Sequence, residues 1–279
     1  MNAKEIATSN EILRGIVGST AHGINIIGQD DRDEMGVFIE PPEKVCGLTP
    51  CDHYIYRDKP EGVRSEAGDL DLTMYSLRKF CRLASAGNPS VIILLWLPSH
   101  ITNTKIGADL VAMREAFVSR ESGKRFLGYL TAQKMKLKGK RAHTVNRPEL
   151  VAKYGYDTKF AMHALRLGYE GCELLMHRRL TVPVSEPRLT TLRAVRSGEV
   201  DFHTALELIE GTEKILRALV ERFEDANDTD SINTFMVRAH EEHWQSRFSS
   251  MAERRAVDAE IAVQLRKPGP SSSYVEINK

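Results

Sequence analysis

Gly15-Ile-Val-Gly-Ser-Thr-Ala-His-Gly23 and Asp30-Asp-Arg-Asp-Glu-Met-Gly-Val-Phe-Ile39 are the two segments from which an architecture can be built. Ile12, Leu13, Ile16 and Val17 make an apolar strand that runs into Gly18-Ser19 and a helix start. At such a turn, free backbone N–H groups and a small hydroxyl hold phosphate oxygens, and glycine lets the backbone approach closely. Asp31 and Asp33 stand two residues apart where a second apolar run begins. The period-2 geometry of a strand turns both carboxylates to one face. Adjacent carboxylates repel each other unless a cation sits between them, and beside phosphates the usual cation is Mg²⁺. A third candidate follows in Asp69-Leu-Asp-Leu-Thr-Met-Tyr75, where Asp71 opens another strand and Asp69 is the alternative. Three carboxylates on adjacent strands can hold two divalent ions for in-line attack at phosphorus.

Outward from these segments, the first hundred residues read as mixed α/β. Strands are expected at 12–17, 35–39, 53–56 and 70–74, with a helix at 76–85 that ends at Gly87-Asn88-Pro89. From Thr102 onward the strand signals nearly vanish. Helices are expected at 106–118, 123–137, 158–176, 202–224 and 231–264, with one extended segment at 180–184. The acidic stretch 224–230 reads as a turn that caps the last helix. The fold class is therefore α+β: a mixed-sheet domain over residues 1–101, a helical domain over 102–266, and a flexible tail over 267–279.

Composition narrows the function without choosing it. The chain has 279 residues, 42% of them hydrophobic, and 39 Lys+Arg nearly cancel 38 Asp+Glu. Bulk charge gives no argument for a nucleic-acid grip, so any basic footprint must be local. The longest apolar run, Val91–Leu97, is too short for a membrane span, and Lys4 and Glu5 interrupt any signal-peptide core. Four scattered cysteines make no disulfide framework. A cytoplasmic protein with no membrane partner is expected.

The helix over 158–177 carries a polar stripe. At about 100° per residue, Lys159, His163, Arg166, Glu170, Glu173 and His177 fall within roughly 40° of one line. Between Phe160 and Met176 every other residue is apolar, Gly, Cys or Tyr. Such a helix packs on most sides and opens one edge to a cleft. Lys159, His163 and Arg166 occupy the N-terminal half, where donors can meet a triphosphate. The alternative is an intrahelical ladder with i,i+4 pairs at Lys159–His163, Arg166–Glu170 and Glu173–His177.

These residues resemble a family. Gly18-Ser19, Asp31-Arg-Asp33 with Gly36, and a distal Asp before a strand are similar to the polymerase-β-type nucleotidyltransferase superfamily. Within it, the likeness is closest to the predicted nucleotidyltransferases of the RNA-repair-pathway polymerase-β-like family. It continues through Tyr75-Ser-Leu-Arg-Lys-Phe80, Gly87-Asn-Pro89, Lys159-x3-His163-x2-Arg166 and Arg196-Ser-Gly-Glu199. The resemblance implies that Asp31 and Asp33 bind two Mg²⁺ (or Mn²⁺) ions and that Asp71 binds the one activating the acceptor hydroxyl. It also implies that Gly18 and Ser19 grip the triphosphate, with Lys159, His163 and Arg166 contacting nucleotide or pyrophosphate. Where such proteins often carry Ser before the aspartate pair, this chain has Asp30, so the Asp30-Asp31 register rests on Gly36. The resemblance also implies an acidic residue near Ile93, which this chain lacks.

The activity implied is transfer of an NMP from an NTP to an acceptor hydroxyl with release of pyrophosphate, an RNA 3′ end being the acceptor the family name suggests. Protein nucleotidylation of the antitoxin type, small-molecule nucleotidylation and a catalytically idle nucleotide- or RNA-binding regulator stand beside it. Lys134, Lys136, Lys138, Lys140 and Arg141 form a basic run that is either an RNA-backbone contact or a solvated helix end. Cys46-x4-Cys51-x-His53 lacks a fourth zinc ligand, and His240-Glu-Glu-His243 reads as a surface cluster. Arg193, Arg196 and Glu199 read as structural ion pairs, and Tyr75, Phe80 and Trp96 as core. Asp69-Leu-Asp-Leu-Thr73 matches a phosphatase motif, but the polar residues before it cannot make the buried strand that chemistry needs.

Overall fold

The computed structural model describes residues 1–25, 31–60, 66, 68–139, 147–224 and 228–265. Its sheet has five strands, β1 (Glu11–Ile16), β2 (Arg32–Phe38), β3 (His53–Arg57), β4 (Leu70–Ser76) and β5 (Thr102–Asn103), in the order β3-β4-β2-β1-β5. Only β2 and β4 run parallel. The helices are α1 (Ala3–Ser9), α2 (Gly18–His22), α3 (Pro42–Val45), α4 (Leu77–Ser85), α5 (Pro89–Ile92) and α6 (Lys105–Ala112). They continue as α7 (Arg120–Leu137), α8 (Pro148–Tyr154), α9 (Thr158–His177), α10 (Arg188–Ser197), α11 (Phe202–Arg222) and α12 (Thr229–Leu265). The expected α+β class, a mixed sheet followed by helices, holds.

Local chemistry sets the element boundaries nearest the site. Ser76 ends β4 and caps α4 by accepting a hydrogen bond from the Lys79 N–H at 3.2 Å. The chain leaves α4 through Gly87 at φ +68°, where a β-carbon would sit 2.1 Å from Ser122 Cα, so only glycine fits. Asp157 caps α9, accepting from the Lys159 and Phe160 N–H groups at 3.0 and 3.1 Å. The last helix is capped from the acidic turn, where Asp228 accepts from the Ser231 N–H at 3.1 Å.

One apolar cluster runs from the sheet (Leu13, Val37, Ile39) through Phe80, Leu94, Phe117 and Phe126 to Leu165 and Leu174 of α9 and Leu216 of α11. A smaller cluster, with Ile6, Phe38 and Met74, fills the opposite face of the sheet beneath α1. The helix α9 is therefore embedded, flanked by α7, α10 and α11. No helix among the described residues is long and apolar enough to cross a membrane.

Three sequence expectations are corrected. Residues 180–184 form no strand; they are a loop whose Val184 N–H reaches the His22 carbonyl at 3.3 Å. Thr102–Asn103 does join the sheet, against Leu13 and Arg14, but two residues are too few to show a period. The helix expected over 106–118 divides into α6 and a separate 3₁₀ turn, Arg114–Phe117. The tail 267–279 and Asp30 lie outside the described residues.

Candidate active site

Register brings the carboxylates together. In the parallel β2/β4 pair, Asp33 is the direct partner of Asp71, and Asp31 lies two residues before Asp33 on the same side. One oxygen from each of Asp31, Asp33 and Asp71 lies within 4.8 Å of the others, and all three residues are half-buried. Asp69 points elsewhere, accepting the Glu66 N–H at 2.7 Å. The Asp69 alternative is thus turned into the loop before β4, while Asp71 faces its neighbours across the sheet. Arg57, on the edge strand β3, reaches Asp71 at 3.4 Å.

The turn after β1 supports this cluster from below. The Val17 N–H donates to the Asp33 carbonyl at 2.9 Å, which presses Gly18 against β2. Gly18 adopts φ +67°, and a β-carbon there would come within 2.0 Å of Asp33 Oδ2. Glycine is required twice over, for the left-handed backbone and for the space the carboxylate fills. Gly18 and Ser19 open α2 and line the same cavity, of about 430 Å³, as the three aspartates.

The same cavity is lined from α9 by Lys159, His163 and Arg166. All eight residues picked out from sequence therefore face one space. The remaining lining includes Pro89, Ser90 and Ile93, so Ile93 brings an apolar side chain to the cavity. His163 sits among cations: burial first, then the charges of Arg166, Lys159 and Arg147, hold its imidazole well below the usual histidine range. It presents a neutral ring to the cavity.

Arg166 is anchored by two residues the sequence reading did not assign to the site. Its Nη1 lies 2.8 Å from His22 Nε2 and 2.7 Å from Glu170 Oε2. His22 Nδ1 lies 2.8 Å from Glu170 Oε1. Burial alone would push the Glu170 carboxyl up, but Arg166 and His22 together hold it at about 2. Burial and the Arg166 charge lower the His22 imidazole. His22 stood inside the first quoted segment and Glu170 on the polar stripe. The one available signal was a polar residue recurring on a helix with no solvent-facing side.

The structure disposes of the weaker motifs. Lys134 pairs with Glu213 and Lys138 with Glu210, while the Lys136 ammonium lies 5.5 Å from the centre of the Phe160 ring. These lysines are engaged by α11 and α9 rather than forming a free patch; Lys140 and Arg141 lie outside the described residues. Of the expected ladder on α9, the Arg166–Glu170 rung forms, while Glu173 accepts from the Thr181 N–H. His240 and His243 are no surface cluster: they reach Glu40 at 3.3 Å and Asn10 at 3.0 Å, docking α12 onto the sheet half. Arg193 donates to the Gly23 carbonyl at 2.8 Å and is not part of an ion pair with Glu199. Phe80 and Trp96 are core, as read, but Tyr75 also lines the cavity. His53 is taken up by Lys79 at 2.9 Å. Among the described residues, the only group suited to a metal is the aspartate triad.

A family model described as RNA repair pathway DNA polymerase beta family matches residues 2–224. No curated protein matches the chain. Among solved structures, a nucleotidyltransferase-like protein from Exiguobacterium sibiricum 255-15 is similar at 12% identity and TM-score 0.30, over 78% of this chain and 71% of that one. A likeness so distant says nothing about individual side chains.

Proposed function

The chain belongs to the RNA repair pathway DNA polymerase beta family, and from that premise we propose that it is a metal-dependent nucleotidyltransferase. It moves an NMP from an NTP to an acceptor hydroxyl and releases pyrophosphate. One observation carries the reading: the oxygens of Asp31, Asp33 and Asp71 converge within 4.8 Å in a cavity that Lys159 and Arg166 also line. Acids and donors lining one space suit a polyanion whose reacting phosphorus lies between them.

The carboxylates are hard oxygen donors of the kind that Mg²⁺ or Mn²⁺ prefers, so the residues fit two divalent ions. Bound there, such ions would polarise the acceptor hydroxyl and neutralise charge on the phosphates. The chain's own residues do the rest. Gly18 and Ser19 offer a close backbone and a hydroxyl to the triphosphate. Lys159 and Arg166 face the β- and γ-phosphates, where charge grows as the bond from the α-phosphorus to its bridging oxygen breaks. His163, being neutral, serves as a hydrogen-bonding partner rather than a countercharge. Catalysis is then positioning and electrostatics, without a nucleophilic side chain.

The family's name supports RNA as the acceptor class, and four free cysteines suit a reducing cytoplasm. We place the catalytic half in residues 1–101 and the closing helical half in 102–266. The test offers α-labelled NTPs with Mg²⁺ or Mn²⁺ to RNA, DNA and protein acceptors in parallel. Label is expected on an RNA 3′ end. Label on protein alone would move the enzyme to the antitoxin-like class, and label on nothing would overturn the transferase.

A further inference from the structure

Against the cavity, His22, Arg166 and Glu170 close a ring of three polar contacts of 2.7–2.8 Å, with His22 and Glu170 only 5% and 4% exposed. We infer that His22 and Glu170 are positioning residues that hold the Arg166 guanidinium ready for the polyphosphate, an inference that rests on the nucleotide reading above.

The polarity of the ring permits one arrangement. A guanidinium only donates and a carboxylate only accepts. Arg166 Nη1 therefore gives one hydrogen to Glu170 Oε2 and the other to His22 Nε2. His22 must then carry its own proton on Nδ1, the nitrogen that lies 2.8 Å from Glu170 Oε1. With Nη1 spent on the ring, the Nη2 hydrogens remain for a ligand in the cavity that Arg166 lines. His22 also closes α2, three residues after Ser19, so the same ring ties the phosphate turn to α9 across 144 residues of sequence. The two sides of the proposed grip are held in register by one histidine.

Charge and position make opposite predictions here. If Arg166 acted only as a charge, Glu170→Gln would add one positive charge to the site and tighten polyanion binding. If position matters, the same change weakens binding. A glutamine has one acceptor and one N–H₂, so either orientation of its amide meets His22 or Arg166 with donor against donor. His22→Gln, by contrast, keeps one acceptor for Arg166 and one donor for Glu170, while His22→Leu keeps neither.

The test titrates the full chain calorimetrically with the four α,β-methylene nucleoside triphosphates, each with Mg²⁺, and records melting curves alongside. Glu170→Gln and His22→Leu are expected to weaken binding by about 10- to 30-fold, the size of one charge-assisted bond. His22→Gln is expected to stay within about threefold of wild type. Tighter binding by Glu170→Gln, or equal affinity of His22→Leu and His22→Gln, would overturn the positioning role. Should Glu170→Gln fail to fold, the two His22 variants still decide. A wild-type chain that binds none of the four overturns the proposed function itself, and this inference with it.

Discussion

Two groups of acids lie a short way apart in this molecule, and they are built in opposite ways. Asp31, Asp33 and Asp71 are half-buried and gather like charges, with oxygens within 4.8 Å of one another. Glu170 is fully buried and meets unlike partners, a guanidinium at 2.7 Å and an imidazole at 2.8 Å. Repulsion among the first three is relieved when a cation joins them, so that cluster is finished from outside. The second is finished from within, and its carboxyl is held at about 2 although burial opposes ionisation. On the proposed reading, one cluster is a site for something that comes and goes; the other is framework that holds Arg166.

The largest effect should separate these roles outright. Asp33→Asn is expected to lower NMP transfer by about 100- to 1,000-fold, the range seen when a preorganised electrostatic contact to a transition state is lost. The same variant should keep its unfolding free energy within about 1 kcal/mol of wild type, since it relieves repulsion with Asp31 and Asp71. Glu170→Leu inverts the pattern. It leaves the Arg166 charge buried beside His22, a loss of about 3–5 kcal/mol in chemical denaturation. If both variants lost stability equally, the contrast between a ligand site and a framework would collapse.

Gly18→Ala joins the two clusters' concerns in one residue. The backbone at φ +67° disfavours a side chain by about 1–2 kcal/mol. The added methyl would also displace the Asp33 carboxylate, and a shift near 1 Å at a reacting centre lowers turnover by about 100-fold. A crystal structure of the variant with Asp33 unmoved, or unimpaired label transfer, would refute the close packing drawn here.

The difference between the clusters also explains what could be read from sequence. Asp31, Asp33 and Asp71 were legible because strand periodicity acts within a few residues, and Gly18-Ser19 because a strand-turn-helix needs those residue types. The stripe on α9 was legible as geometry, since its polar line ran through an apolar helix. What it touched was not. His22 and Arg166 are separated by 144 positions, and nothing local in either segment announces the other. The lysines at 134 and 138 looked free because Glu213 and Glu210 come from α11. His240 and His243 looked exposed because the buried Glu40 and the polar Asn10 they reach belong to the first forty residues. Pattern within an element survives in a linear reading; charge balance between elements does not.

The framework cluster should also give the protein a pH signature. His22 and His163 both have imidazoles held below the usual 6.5, His22 by burial and Arg166, His163 by burial and then Arg166, Lys159 and Arg147. The unfolded chain therefore binds protons first as pH falls, and the fold loses stability below about pH 6.5 at up to about 1.4 kcal/mol per pH unit for each histidine. Glu170 adds nothing in that window. Its lowered carboxyl contributes stability that is present above its unfolded value of 4.5 and fades only as pH falls toward 2. Urea denaturation between pH 5 and 7.5 measures this, and His22→Gln should reduce the slope. A slope that His22→Gln leaves unchanged would show that this ring does not titrate with folding.

The smallest effect comes from Arg57, a cation that touches the aspartate cluster from its own sheet. Arg57 reaches Asp71 at 3.4 Å from the edge strand β3, and its side chain is about half exposed at 47%. Solvent screens such a pair, so the contact is worth less than about 1 kcal/mol. If the cluster is finished from outside, Arg57 competes weakly with an incoming divalent ion for the same carboxylate. Arg57→Ala should then tighten Mn²⁺ binding by no more than about fivefold, measured by electron paramagnetic resonance titration, and leave stability unchanged. Weaker Mn²⁺ binding in that variant would mean that Arg57 orients Asp71 for the metal, and the aspartate cluster would then depend on internal partners as the Glu170 ring does.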